Sequence, residues 1–250
     1  ALHVNHCLRG DESDRDEEFC RQLCERLGIP FSSFRVDVKG FAKKNSLSDE
    51  EAARKLRYGV FAENSENKLI ATAHNANDDL ETVILNLARG SALKGMAGIP
   101  VKRGNIIRPL LAVSRQEIED FLAERRQDFV TDSTNLSDDY TRNKIRHRII
   151  PLLQEVNNSV IATSVRSISA MRSENEFIED KTDEAERICR CGKTFTGLED
   201  FHPVIRRRCI ARLLSEEDLP YSADRLATAD NIAVNGGKLN ISGNIYLVSD

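Results

Sequence analysis

Through the first half of the chain, short apolar runs alternate with amphipathic stretches. Leu2 to Asn5 predicts a strand, and the polar turn His6 to Glu12 follows it directly. Ser13 to about Leu27 carries Phe19, Leu23 and Leu27 on one stripe and predicts a helix, stopped by Gly28 and Pro30. Phe31 to Val38 predicts the next strand. Ser48 with Glu51 forms a capping box that opens a helix to about Glu63. Leu69 to Ala73 is a third strand, followed by the helix that contains Asp78 and by a glycine-punctuated loop from Gly90 to Gly98. Ile106 to Leu111 is a further strand, and Ser114 with Glu117 caps a helix to about Arg126. Strands alternating with helices predict an α/β fold on a parallel sheet with right-handed crossovers.

From Tyr140 the pattern becomes almost continuously helical. Pro151 and the Asn157-Asn158-Ser159 cluster mark a boundary, so we expect one domain over 1–157 and a mostly helical one over 158–250. The second holds a long helix from Ser159 to about Arg187, helices over His202–Leu214 and Ser222–Val234, and a hairpin of Lys238–Ile241 and Asn244–Val248. The chain starts inside a strand and stops just after that hairpin, which predicts a piece of a longer protein.

Composition is that of a soluble globular protein, with 40% hydrophobic and 30% charged residues. No apolar run approaches a membrane span, so no membrane partner is expected. The six cysteines form no C-x-x-C pair, which disfavours a zinc ribbon or a paired-thiol site, and a reducing cytoplasm is the expected location. Formal net charge is -4, but residues 140–215 carry 14 Lys+Arg against 10 Asp+Glu, leaving -8 for the remainder. An acidic domain joined to a basic one fits a catalytic unit with a polyanion-binding unit.

Candidate chemistry concentrates in Ala73–Ser91. At 100° per residue, Leu80, Val83, Ile84, Leu87 and Ala88 share a stripe that faces a core. Asp78, Glu81 and Arg89 fall on the opposite side, and Leu85 is an apolar exception there. The charges suit the helix dipole alone. They also suit a site at the carboxyl end of a strand, with Asp78 and Glu81 holding Mg²⁺ or an amine and Arg89 holding an anion.

Four ordered patterns sharpen this: His3–Gly10, His74–Ser91, Thr131–Asn143 and Arg142–Pro151. Together with Glu50-Glu-Ala-Ala-Arg54, Arg57-Tyr58, Gly95–Pro100 and Ile107-Arg-Pro-Leu110, they resemble the tRNA(Ile)-lysidine synthetase family of N-type PP-loop ATPases. The resemblance runs from Ala1 to about Asp250. It implies a parallel-sheet, adenine-nucleotide α-hydrolase-like domain followed by a helical tRNA-binding domain. It implies ATP and Mg²⁺ as cofactors, with free L-lysine and an isoleucine tRNA bearing a CAU anticodon as substrates. The reaction would adenylate the C2 oxygen of the wobble cytidine, and the lysine amine would then displace AMP. A homodimer is also expected.

Carried onto this chain, the resemblance makes Asp78, Glu81 and Arg89 catalytic, with Asp78 a contact for Mg²⁺. It puts Asn5, His6, Arg9 and His74 at the nucleotide. Arg142, Asn143, Arg146 and His147 would meet a phosphate of ATP or RNA, and Arg206, Arg207 and Arg208 the tRNA backbone. A polar turn is the alternative reading of Asn5, His6 and Arg9, with the site preferred, and the arginine runs equally fit a solvated face. The family's Ser-Gly-Gly-x-Asp-Ser loop is absent from these 250 residues, so this chain by itself is expected to be inactive. Asn77 and Asp79 also stand where many members have Asp and Gln. A non-catalytic tRNA-binding piece and another PP-loop tRNA-modifying enzyme are the alternatives.

Overall fold

A computed structural model describes residues 1–66, 68–130 and 141–249. They divide into two compact units: Ala1–Leu85 with Ile99–Val165, and Asn86–Gly98 with Arg166–Asp250. The division therefore falls inside a helix at Val165/Arg166, eight residues past the expected boundary, and the segment Asn86–Gly98, which includes the glycine loop, groups with the later residues.

In the first unit, strand β1 (Leu2–Asn5) lies parallel to β2 (Ser32–Arg35), with Val4 opposite Phe34. Helix α1 (Asp11–Arg26) makes the crossover between them. A second sheet has β3 (Ile70–Ala71) parallel to β5 (Ile106–Ile107), and β4 (Lys102–Arg103) antiparallel to β5. The strands are shorter than their apolar runs suggest. The second ends at Arg35, and Val38–Asn45 forms a helix, α2, that the pattern does not announce. Its cap explains it: the Asp37 carboxylate accepts the Gly40 N–H at 2.9 Å. Val38 and Ala42 then pack on Ala52 and Ala53 of α3 (Asp49–Glu63). Both expected capping boxes form, Ser48 with Glu51 on α3 and Ser114 with Glu117 on α6 (Arg115–Glu124).

Helix α4 (Ala76–Ala88) opens on Asn75, whose side-chain oxygen accepts the N–H groups of Asn77 and Asp78. Asp78 returns the bond by accepting the Asn75 N–H at 3.0 Å. Leu80 and Val83 are buried as expected, whereas Leu87 is 62% exposed. Leu85, the apolar exception, packs with Ile84 against Leu80, Ile145 and Ile150. This helix is covered on two sides within the first unit. The second cover comes from α7 (Thr141–Lys144), a π turn over Ile145–Ile149, and α8 (Ile150–Val156). The π turn has a covalent cause. Pro151 has no N–H for the His147 carbonyl, and its ring crowds that carbonyl, so the Ile150 N–H bonds one residue further back, to Ile145.

After the short α5 (Leu93–Met96), the second unit is built on the 30-residue α9 (Val160–Cys189), which begins in the first. It carries the small hairpin of β6 (Arg190–Cys191) and β7 (Thr194–Phe195), then α10 (Pro203–Glu216), α11 (Ala223–Asn235) and the hairpin of β8 (Gly237–Ser242) with β9 (Ile245–Ser249). Ala185, Cys189, Leu198, Cys209, Ile210, Leu214, Ala229 and Ile241 form its core. Cys189 and Cys209 are buried free thiols, and burial pushes Cys209 up to about 12, far from a reactive thiolate. No helix of the described residues is long and apolar enough to cross a membrane.

Candidate functional site

The first turn of α4 gathers the charged groups. Glu81 is 1% exposed. Its two oxygens accept Arg146 Nε at 2.6 Å and Arg146 Nη2 at 3.1 Å, a two-pronged pair. Asp78 lies one turn earlier at the surface, 3.4 Å from Arg146 Nη2. Burial pushes the Glu81 carboxyl above its ordinary range, and Arg146 opposes that shift. Arg146, on the π turn, is itself held above the ordinary arginine value by Glu81 and Asp78 against the cost of its burial. Arg142, one turn before Arg146, donates from Nη2 to Thr82 Oγ1 at 3.0 Å, while its buried Nε has no partner. His74 stands just before the helix, its Nδ1 3.0 Å from Thr72 Oγ1. Burial lowers its pKa, with Asp78 pulling the other way.

Three expected residues, Asp78, Arg142 and Arg146, thus meet around a fourth, Glu81, within one unit, and His74 stands near Asp78. Asn143 is buried, and His147 is exposed on the π turn. Arg89 lies just beyond α4, exposed and in the second unit, outside this cluster. Of the Thr131–Asn143 pattern, residues 131–140 lie outside the described residues. Thr82 and Asn75 are contributors that charge patterning passes over. Thr82 is signalled only by its spacing of four from Asp78, whose carbonyl accepts its hydroxyl at 2.8 Å. Asp79, one of the two departures from the family pattern, is buried and accepts the Ile99 N–H at 2.6 Å, fixing the strand approach at Pro100.

A second feature lies along β1. A pocket of about 470 Å³ is lined by His3, Asn5, His6, Arg9, Asp16 and Arg57, among others. Asn5 is 2% exposed. Its amide donates to Glu17 at 2.9 Å and Asp14 at 3.1 Å, and its oxygen accepts the Cys7 N–H. The side chain ties β1 to α1, so it shapes the pocket more than it offers atoms to a ligand. Arg9 is paired with Asp16 at 2.8 Å and Glu12 at 3.1 Å. His6 also lines the pocket, and its Nε2 is buried without a hydrogen-bond partner. Burial first, and the nearby Arg57 second, lower its pKa to about 4, so the ring is neutral at physiological pH.

In the second unit, Arg206 and Arg207 both donate to Asp230, at 2.6 and 3.0 Å. Arg208 bonds Glu179 and Asn175. Of the three, Arg207 is the half-exposed one, and Arg206 and Arg208 are largely covered. Lys94 stands 4.0 Å from Glu179.

Comparison with known proteins identifies the family. Over 224 residues the chain is 39% identical to the tRNA(Ile)-lysidine synthase of Caldanaerobacter subterraneus, covering 85% of this chain and 48% of that protein. It is 37% identical over 267 residues to the protein of the same name from Clostridioides difficile, covering 99% and 57%, and 47% identical over 171 residues to that of Bacteroides thetaiotaomicron, covering 66% and 40%. The chain thus spans about half the length of the curated relatives it matches. Among solved structures, the U34-tRNA thiolase NcsA from Methanococcus maripaludis with its [4Fe-4S] cluster has the same fold, with a TM-score of 0.51 at 15% identity over 69% of this chain and 61% of that one. A family model described as a PP-loop domain matches residues 1–153, the stretch that holds both the β1 pocket and the Glu81–Arg146 pair, and the chain belongs to that family.

Proposed function

We propose that the protein carrying this chain ligates lysine to C2 of the wobble cytidine of an isoleucine tRNA. The observation that carries the reading is the buried Glu81–Arg146 pair with Asp78 at its mouth, in a PP-loop domain whose relatives are named for this reaction. In the first step the C2 oxygen of cytidine attacks the α-phosphorus of ATP, and pyrophosphate leaves. In the second the lysine amine attacks C2, the C–O bond to AMP breaks, and the amine loses a proton.

Glu81 fixes Arg146 through both oxygens, so the guanidinium is held in place to meet the charge that develops on the adenylated oxygen. Asp78, partly exposed beside it, takes the incoming ammonium and orients its nitrogen. Arg142 supplies a second cation from the same helix face, steadied by Thr82. His6 and His74 border the nucleotide.

Mg²⁺ does not fit as a resident ion here. Both Glu81 oxygens face Arg146, Asp78 is engaged by Arg146 and the Asn75 N–H, and no group of three or more potential ligands occurs among the described residues. An ion carried in on the phosphates of ATP needs no such cage, and no step is assigned to one.

The reading is tested with the complete gene product, ATP, labelled lysine and an isoleucine tRNA transcript with a CAU anticodon. Lysine should enter the tRNA with one AMP released per lysine, and a transcript with uridine at the wobble position should take up none. AMP release that does not depend on lysine would contradict the reading.

A further inference from the structure

Arg57 is a cation that the proposed chemistry leaves unused. It projects from α3 into the β1 pocket. The other guanidiniums nearby are occupied. Arg9 is neutralised by Glu12 and Asp16, and Arg54, one turn earlier on α3, lies 5.0 Å from the centre of the Tyr58 ring. Among the described residues no carboxylate pairs with Arg57. Asp16, the acidic residue lining the pocket, is bonded to Arg9 and Arg15. The imidazole next to Arg57 is His6, whose ring nitrogen Nε2 is buried and unpartnered.

An uncompensated guanidinium and an unpartnered buried ring nitrogen on one pocket wall call for the same complement. That complement is a ligand with an anionic group for the first and a neutral polar group for the second. A neutral His6 adds no second charge, so Arg57 sets the sign of this end of the pocket.

We infer that Arg57 is a binding residue of the β1 pocket and holds a phosphate group of the nucleotide, with His6 taking a neutral polar atom of the same ligand. This rests on the nucleotide reading given above and adds a residue and a phosphate contact to it.

The test measures binding of ATP and of adenosine to the complete gene product, to R57Q and to R57K. Loss of one charge-assisted contact should weaken ATP binding by about tenfold to a hundredfold in R57Q. Adenosine affinity should stay within about twofold, and R57K should recover part of the loss because it keeps the charge. The melting temperature of R57Q should move by about 2 °C or less, since no ion pair is broken. Equal ATP binding by wild type and R57Q, or an equal loss of ATP and adenosine, would overturn the assignment of Arg57 alone. A wild-type protein that binds neither ligand would overturn the nucleotide reading and this assignment with it.

Discussion

Asn5 and Glu81 are both buried polar side chains, and each is tolerated for a different reason. Asn5 satisfies both its amide donors and its oxygen inside the first unit, on Glu17, Asp14 and the Cys7 N–H. Its bond to Glu17 is the chief cause that holds that carboxyl below its ordinary range. A carboxyl depressed in this way adds stability that is present above about pH 4.5 and disappears as pH falls through the folded-state value. Asn5→Ala should therefore lower stability by about 1.5 kcal/mol at pH 7, by removing the Asn5 bond from Glu17, which keeps Arg21 at 3.1 Å. The deficit should shrink below pH 4.5, where the wild type loses the same contribution. Urea denaturation of both chains at pH 7 and pH 4 measures this, and a deficit independent of pH would refute the linkage. Glu81 differs because its partner is a charge from a distant segment, so its burial concentrates electrostatic effect at a site mouth. Sequence patterning finds both residues but not the bonds from Asn5 to α1. A strand-end amide looks the same whether it faces a ligand or the next helix.

Among the elements, α3 and α6 were legible because a capping box is local chemistry, complete within four residues. Helix α2 was not, since its apolar spacing is broken by Gly40 and its signal rests on Asp37 alone. The exposed Leu87 and the buried Leu85 on α4 show the limit of a single-stripe reading. The second cover of that helix comes from Ile145 and Ile150, some sixty residues away, which no local window contains. The same limit applies to α10. Its Arg206-Arg-Arg208 run has the look of a phosphate-binding face, yet α11 and α9 supply acids to each of the three. Arg206 and Asp230 are 11% and 7% exposed, so their pair is a packing contact between α10 and α11. Arg206→Ala should destabilise the chain by about 2 kcal/mol, because the buried Asp230 keeps only the half-exposed Arg207, and Arg206→Ala with Asp230→Ala should recover part of the loss. Thermal melts of the single and double variants check this. Equal melting temperatures for Arg206→Ala and wild type would mark the pair as ordinary surface charge.

For the molecule as a whole, the charge asymmetry of the sequence translates into structure only in part. The positive balance over 140–215 includes arginines that the second unit neutralises within itself: Arg190 on Glu186 and Glu216, and Arg212 on Glu179, Asp183 and Glu186. Arg142 and Arg146 of the first unit are instead brought to α4, Arg142 to Thr82 and Arg146 to the carboxylates of Glu81 and Asp78, and that convergence is the reason for placing the chemistry there. The most direct test is Glu81→Gln in the complete gene product, read by single-turnover lysine transfer and by tRNA affinity on the same preparation. The substitution keeps the shape of the side chain but removes the charge that fixes Arg146. Transfer should fall by about a hundredfold or more, with the dissociation constant for tRNA within about twofold of wild type. Transfer at the wild-type rate, or a loss of tRNA affinity as large as the loss of transfer, would contradict the account.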